Sequence, residues 1–271
     1  MEYLHIFYNF MRIQINGILK HYSVIKYFVN AELRSEASKY YMSYLWWVIE
    51  PLIDMIVYFV IFELVLGGGT KDYVPFLLIG ILTYKWFGTA VSYSSKSILQ
   101  RKNIIKESIL PVKIFPIIEI VKNTFKFLIV FIVLCIFLRL YGFAINIHYL
   151  YLIGVIFCEF TLILCFSFLF ALILPFFQDV EIAVQSFLRL LLFLSGVFFK
   201  ADRFLPKNQF WFYLNPLANI IESYRNVLMY DTPPRAAIYL ITAICIPTFC
   251  ILLNFSDRFD RKYAKWISSR T

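Results

Sequence analysis

Residues 149–174 read YLYLIGVIFCEFTLILCFSFLFALIL, with one carboxylate (Glu159) and no Lys or Arg. A helix rises about 1.5 Å per residue, so a run of this length exceeds the ~30 Å hydrocarbon core of a bilayer. Working outward, five more apolar runs of the same kind appear, at about Leu45–Leu66, Tyr73–Tyr93, Phe115–Leu138, Val180–Phe199 and Ala236–Phe255. The pattern predicts an all-α polytopic membrane protein with six transmembrane helices. One transmembrane domain then fills 1–271, with a segment at 1–44, the six-span region at 45–255 and a tail at 256–271.

Composition agrees. Of 271 residues, 61% are hydrophobic, 20% aromatic and 16% charged, and the mean hydropathy is +0.73. This excludes a disordered chain and disfavours a soluble domain. The five cysteines lie in apolar runs without metal or redox spacing and read as small buried hydrophobes. The net charge of +9 would point to nucleic acid in a soluble protein. Here Lys and Arg gather at the edges of apolar runs, so membrane topology accounts for them and no nucleic acid partner is expected.

Charge also orients the chain. Arg12, Lys20, Lys26, Arg34 and Lys39 precede the first run, Lys96, Arg101, Lys102, Lys106 and Lys113 follow the second, and Arg258, Arg261, Lys262, Lys265 and Arg270 follow the sixth. With an even number of spans these segments share one side, expected to be cytosolic with both termini. The loop after the fifth run is also basic but long, and long loops obey the rule weakly. Met1–Lys20 has no basic start or small-residue cleavage site, so no cleavable signal is expected.

Three segments between the runs carry structure of their own. Before the first, Val24, Phe28 and Ala31 follow helical spacing opposite Lys26, Glu32, Arg34, Glu36 and Lys39, predicting an amphipathic interface helix. After the second, Ser94–Ile114 alternates bases with Ile98, Leu99, Ile104, Ile105 and Ile109 and predicts a short amphipathic helix ended near Pro111. Between the fifth and sixth, Asn215-Pro216 is a helix start, followed by Leu217, Ile220, Ile221, Tyr224 and Val227 at steps of three and four, with Glu222 and Arg225 off that face. Too polar to span and too apolar to float, this stretch predicts two short re-entrant or interfacial helices.

Ionisable groups within lipid need partners. Counted by depth, Asp54 and Lys85 meet near the midplane, as do Glu159 and Arg189, so both are expected as ion pairs. Glu50 and Asp54 share a helix face four residues apart, an arrangement that could do acid–base work or carry protons. Gly67–Lys71 lacks nucleotide-loop spacing, and His5, His21 and His148 are scattered, so no cofactor or metal is expected on this chain.

The ordered set Ala31–Ile53 (AELRSEASKYYMSYLWWVIEPLI), Ser94–Pro116 (SSKSILQRKNIIKESILPVKIFP), Ser195–Phe199 (SGVFF), Leu205-Pro206 and Leu214-Asn215-Pro216 with Arg225 resembles the membrane subunit of ABC-2-type polysaccharide exporters. These are the permeases for O-antigen, capsular polysaccharide and teichoic acid. The resemblance implies a homodimer in the bacterial inner membrane, bound to two copies of a separate ATPase that holds ATP and Mg. Ile98, Leu99, Gln100, Arg101, Lys102, Asn103, Ile104, Ile105 and Lys106 would then form a coupling helix, with Glu32, Arg34 and Ser35 as a second ATPase contact. The cargo would be a lipid-linked polysaccharide, O-antigen first. Sugars pack C–H faces on rings, which makes Tyr58, Phe62, Tyr84, Trp86, Phe87, Phe193 and Phe198 candidate channel-lining aromatics. Two other readings remain open: an ABC-2 permease for teichoic acid, drugs or lipids, and a polytopic glycosyl- or acyltransferase using Glu50 and Asp54.

Overall fold

Helix follows helix because almost every residue that could pair its backbone elsewhere lies in apolar surroundings, where only internal hydrogen bonds satisfy the main chain. The computed structural model describes residues 17–39, 41–61, 72–107, 110–177, 179–200 and 206–269, without the side chains of 43, 58–59, 206–208 and 258–269. Among the described residues there are helices and turns and no strand. In chain order the helices are Tyr22–Lys39 (α1), Trp46–Phe59 (α2), Tyr73–Gln100 (α3), Lys102–Glu107 (α4), Ile114–Tyr141 (α5), Tyr151–Ile173 (α6), Val180–Leu194 (α7), Pro206–Tyr213 (α8), Pro216–Leu228 (α9) and Ala237–Ser269 (α10).

Four stretches among the described residues are long and apolar enough to cross a bilayer: Tyr73–Gln100, Ile114–Tyr141, Ile147–Ile173 and Ala237–Asp257. The other two expected spans are shorter as described. At 14 and 15 residues, α2 and α7 rise only about 21 and 22 Å. The described part of α2 runs up to the undescribed 62–71. The fifth run was expected to reach Phe199, but α7 stops at Leu194 because Gly196 turns the chain at φ +70°, a conformation that side chains resist. A Cβ there would also meet the Phe212 ring at 2.6 Å. Three helices run longer than the sequence reading: α3 continues seven residues past Tyr93, α5 three past Leu138, and α10 carries the expected tail as unbroken helix to Ser269.

The axis of the fold is α3. Few of its residues carry charge, and α5, α6, α2, α9 and α7 pack around it. Contacts fix directions. Trp86 of α3 stacks on Phe127 of α5 at 3.9 Å, while Ser94 reaches the Pro116 carbonyl at 3.4 Å, so α3 and α5 are antiparallel. In contrast, the Cys158 thiol meets the Ile238 carbonyl at 3.3 Å and the Cys165 thiol meets the Cys245 carbonyl at 2.9 Å. That constant offset makes α6 and α10 parallel.

Local chemistry explains the helix ends. Gly142 closes α5 in the left-handed region, with its N–H on the Arg139 carbonyl and the next N–H on Leu138. Asn215 opens α9, its side chain accepting from the Leu217 N–H at 3.0 Å with Pro216 in the first turn.

Candidate functional site

The Gln100 end of α3 is tied down by a closed knot of charge. Arg101, in the turn between α3 and α4, pairs with Glu32 of α1 and Glu119 of α5. Lys122 lies 2.7 Å from Glu119, 2.8 Å from Glu32 and 3.2 Å from Glu36, and Lys126 pairs with Glu36. Three cations face three carboxylates. Lys126 also sits 5.3 Å from the Trp47 ring centroid. Burial pushes the Glu32 carboxyl up, but Lys122 and Arg101 overrule it and hold it below the usual carboxylate range. Burial acts against the Arg101 charge as well, and Glu119 and Glu32 reverse that, raising it.

The knot rotates α1 from the expected face. Its buried stripe is Ile25, Val29, Leu33 and Ala37 rather than Val24, Phe28 and Ala31. The reason is that Glu32 and Glu36 turn inward to reach α5. Arg34 and Ser35 remain exposed.

From this knot hangs α4. Ile98 is fully buried, Leu99 and Ile104 are half-buried and Ile105 is buried, so these four anchor the segment. Gln100, Lys102, Asn103 and Lys106 face outward. The segment also leans on α10, and Lys113 pairs with Asp257 there at 2.7 Å.

A second site opens between α3 and α7, as a groove of about 370 Å³. Its seam is a ladder of polar contacts: Lys96 to Glu181 at 2.7 Å, Gln185 Nε2 donating to Ser92 Oγ at 2.7 Å, and the Tyr84 hydroxyl donating to the Leu188 carbonyl. Residue numbers fall on one helix as they rise on the other, so α3 and α7 are antiparallel. Thr89, Tyr93 and Arg189 complete the polar wall. Lys85 stands in it too, held from α2 by Asp54 at 2.8 Å and Glu50 at 2.9 Å.

Of the two ion pairs expected from depth, the structure brings Asp54 and Lys85 together and does not bring Glu159 and Arg189 together. Arg189 is exposed and lines the groove, while Glu159 is fully buried on another side of the bundle, next to Tyr224 of α9. Depth fixes height along the helix but not the direction a side chain takes around it. Glu50 and Asp54, the carboxylates of the enzyme reading, both pair with Lys85.

The candidate aromatics divide. Tyr84 is half-buried at the groove, and Phe193 is exposed, 5.4 Å from Phe198. Trp86 and Phe198 are buried within the protomer, Trp86 stacked on Phe127 at the edge of a small cavity of about 140 Å³ that Trp47 and Lys126 also line. Phe87 is buried as well and borders a separate apolar cavity beside α6 and α7. The Tyr58 side chain and Phe62 lie outside the described residues.

The α8–α9 pair is pinned by Arg225, 4% exposed. Its guanidinium donates to the carbonyls of Gly196 at 2.7 Å, Val197 at 2.8 Å and Phe76 at 3.0 Å, and lies 3.4 Å from the Phe76 ring centroid. Gly80 leaves room for it, since a Cβ there would stand 2.5 Å from the guanidinium. Asn215 also donates to Ser195 Oγ at 3.0 Å, and Glu222 accepts from Arg235 and Tyr213, each at 3.2 Å.

The family model described as ABC-2 type transporter matches residues 25–229, a span that holds the knot, the groove and the pinned pair. The chain belongs to the ABC-2 type transporter family. Two proteins named O-antigen export system permease protein RfbA, from Klebsiella pneumoniae, are similar to this ABC-2 subunit. One is 26% identical over 208 residues, covering 75% of this chain and 79% of the relative. The other is 27% identical over 202 residues, covering 74% and 78%. A third protein of that name, from Myxococcus xanthus, is 21% identical over 224 residues, covering 80% and 86%. Membership makes the chain a membrane subunit of a transporter and implies an ABC ATPase partner.

Proposed function

We propose that this ABC-2 subunit forms half of an ATP-driven exporter for a lipid-linked polysaccharide of the O-antigen kind, carrying it from the cytosol across the bacterial inner membrane. The observation that carries the reading is the α3–α7 groove. Hydroxyl and amide groups at Thr89, Ser92 and Gln185 suit sugar hydroxyls, and the rings of Tyr84 and Tyr93 suit sugar C–H faces. The names of the relatives favour a glycan over a drug or a membrane lipid.

The remaining parts follow this reading. Six spans cross the membrane with both termini cytosolic. Parallel α6 and α10 support that topology, because an odd number of crossings must separate them: α7 crosses, and α8–α9 enters and returns. Two copies face each other across the groove. ATP and Mg belong to two ATPase subunits, and this chain holds no cofactor. The outward residues Gln100, Lys102, Asn103 and Lys106 seat in the ATPase, Arg34 and Ser35 make the second contact, and Arg101 with Glu32 joins both contacts to α3 and α5. Motion of the partner thereby reaches the helix that forms the groove wall.

Deleting the gene and analysing both glycan pools tests the proposal. Surface glycan should disappear while lipid-linked polymer accumulates inside the cell. An unchanged surface glycan with no internal polymer would contradict it.

A further inference from the structure

Every carboxylate of the knot has a cation, yet α6 buries one that has none. Glu159 is fully buried, in a run without Lys, Arg or a second carboxylate. Its two carboxyl oxygens and the Tyr224 hydroxyl of α9 face one another out of reach of solvent, and none of the three closes a hydrogen bond of ordinary geometry. Phe131 of α5 caps the Tyr224 ring at 5.8 Å. The ionisable groups that reach this spot among the described residues are Tyr224 and the neighbouring Cys158, which α10 covers with Thr242 and Cys245. The helices α3, α5 and α7 bring no cation to it: Lys85 points to α2, Lys122 and Lys126 to the knot, and Arg189 to the groove. Arg225 is next to Tyr224 in the chain, but it turns to the carbonyls of Phe76, Gly196 and Val197. An ionised carboxylate so placed would have neither water nor a cation, and a fold avoids that cost by keeping the group neutral.

From this placement we infer that Glu159 is a proton-binding site whose cover is α9. The carboxyl holds a proton while Tyr224 stands over it, and gives that proton to water when α9 withdraws. A group that is neutral when covered and ionised when wet ties its proton to the cover, so removing the proton must favour withdrawal as much as withdrawal favours its loss. One face of α9 is thereby fixed to carbonyls by Arg225, while the residue before it rests on a group whose charge can change. The inference goes beyond the export reading and does not depend on it. Under that reading, the proton marks the state in which the α8–α9 pair is closed.

The test uses the full chain in dodecyl maltoside, which has no ester carbonyl of its own. Infrared spectra at neutral pH should contain the carbonyl band of a protonated carboxyl that disappears in Glu159→Gln and shifts in Tyr224→Phe. Hydrogen exchange read by mass spectrometry then follows the cover. Exchange at residues 216–228 is compared with that of Glu159→Gln at each pH, which removes the direct effect of hydroxide on amides. On going from neutral to alkaline pH it should rise about tenfold more in the unaltered chain than in Glu159→Gln. Spectra of the two chains that agree in the protonated-carboxyl region overturn the inference. So does exchange that rises equally in both. If Glu159→Gln does not fold, Tyr224→Phe decides: a shifted band supports the site, and an unshifted one overturns it. None of these outcomes bears on the export reading, which the deletion strain tests by itself.

Discussion

The knot and the groove are built from the same materials and finished differently. At the Gln100 end of α3, Arg101, Lys122 and Lys126 meet Glu32, Glu36 and Glu119, and no full charge is left over. Along the α3–α7 seam, one ion pair, Lys96 with Glu181, and two neutral rungs hold the helices, and Arg189 is left unanswered. A saturated cluster has one good geometry and therefore moves as a unit, which suits a lever. An unsaturated wall keeps donors and acceptors to offer, which suits a path for polar cargo. The lesson is that in a chain this apolar, where a charge finds its partner separates structure from function better than where the charge occurs.

The sharpest way to break the contrast is Lys122→Met. Lys122 is nearly buried and touches three carboxylates, and removing one partner from a buried ion pair costs about 3–5 kcal/mol. Thermal unfolding of the full chain in detergent should show that loss, and a change below about 1 kcal/mol would mean the knot is not closed. Next comes Arg225→Ala, which leaves the carbonyls of Phe76, Gly196 and Val197 without their donor. Buried groups left unsatisfied cost about 1–3 kcal/mol. Gly80→Ala should cost a similar amount through the same contact, by overpacking of about 1–3 kcal/mol. If both variants unfold with the unaltered chain, α9 is held some other way.

A smaller effect concerns acid. Glu32 is held below its ordinary value of 4.5 by Lys122 and Arg101, so it gives up its proton more readily folded than unfolded. Its contribution is therefore fully present above pH 4.5 and is lost as pH falls through the lowered folded value. Stability measured from neutral pH downward should fall in the unaltered chain and fall less in Glu32→Gln. Parallel curves would remove Glu32 from the knot. The weakest expected change is Gln185→Ala, which loses one bond to Ser92 worth about 0.5–1.5 kcal/mol. It should barely move unfolding yet reduce glycan export, and the reverse outcome would make the ladder structural only.

Much of the fold could be read from the chain. The run at 149–174 needs only its length and its single carboxylate to become a helix at membrane depth, and Asn215-Pro216 starts α9 through capping chemistry that is local. The pairing of Asp54 with Lys85 was legible because both lie on neighbouring helices at one depth. Arg189 was not, since depth carries no azimuth. The knot was also missed, although a signal existed: Glu32 and Glu36 step by four, as do Lys122 and Lys126, so two rows of matching pitch could have been laid against each other. The groove ladder has the same hidden regularity, with Glu181, Gln185 and Arg189 spaced by four opposite Lys85, Thr89, Ser92 and Lys96. The stacking of Trp86 on Phe127 was not legible, because a large apolar surface says nothing about which neighbour covers it.

The lever half of the account stands on α4 meeting the ATPase. A single cysteine at Asn103, in a chain whose native cysteines are replaced by serine or alanine, can be offered a short bifunctional maleimide in membranes containing the partner. Asn103→Cys should cross-link to the ATPase subunit, with a yield that changes when ATP is added. Labelling of the same cysteine in intact cells by a membrane-impermeant maleimide, with no cross-link to the ATPase, would place α4 on the outer face and contradict the account.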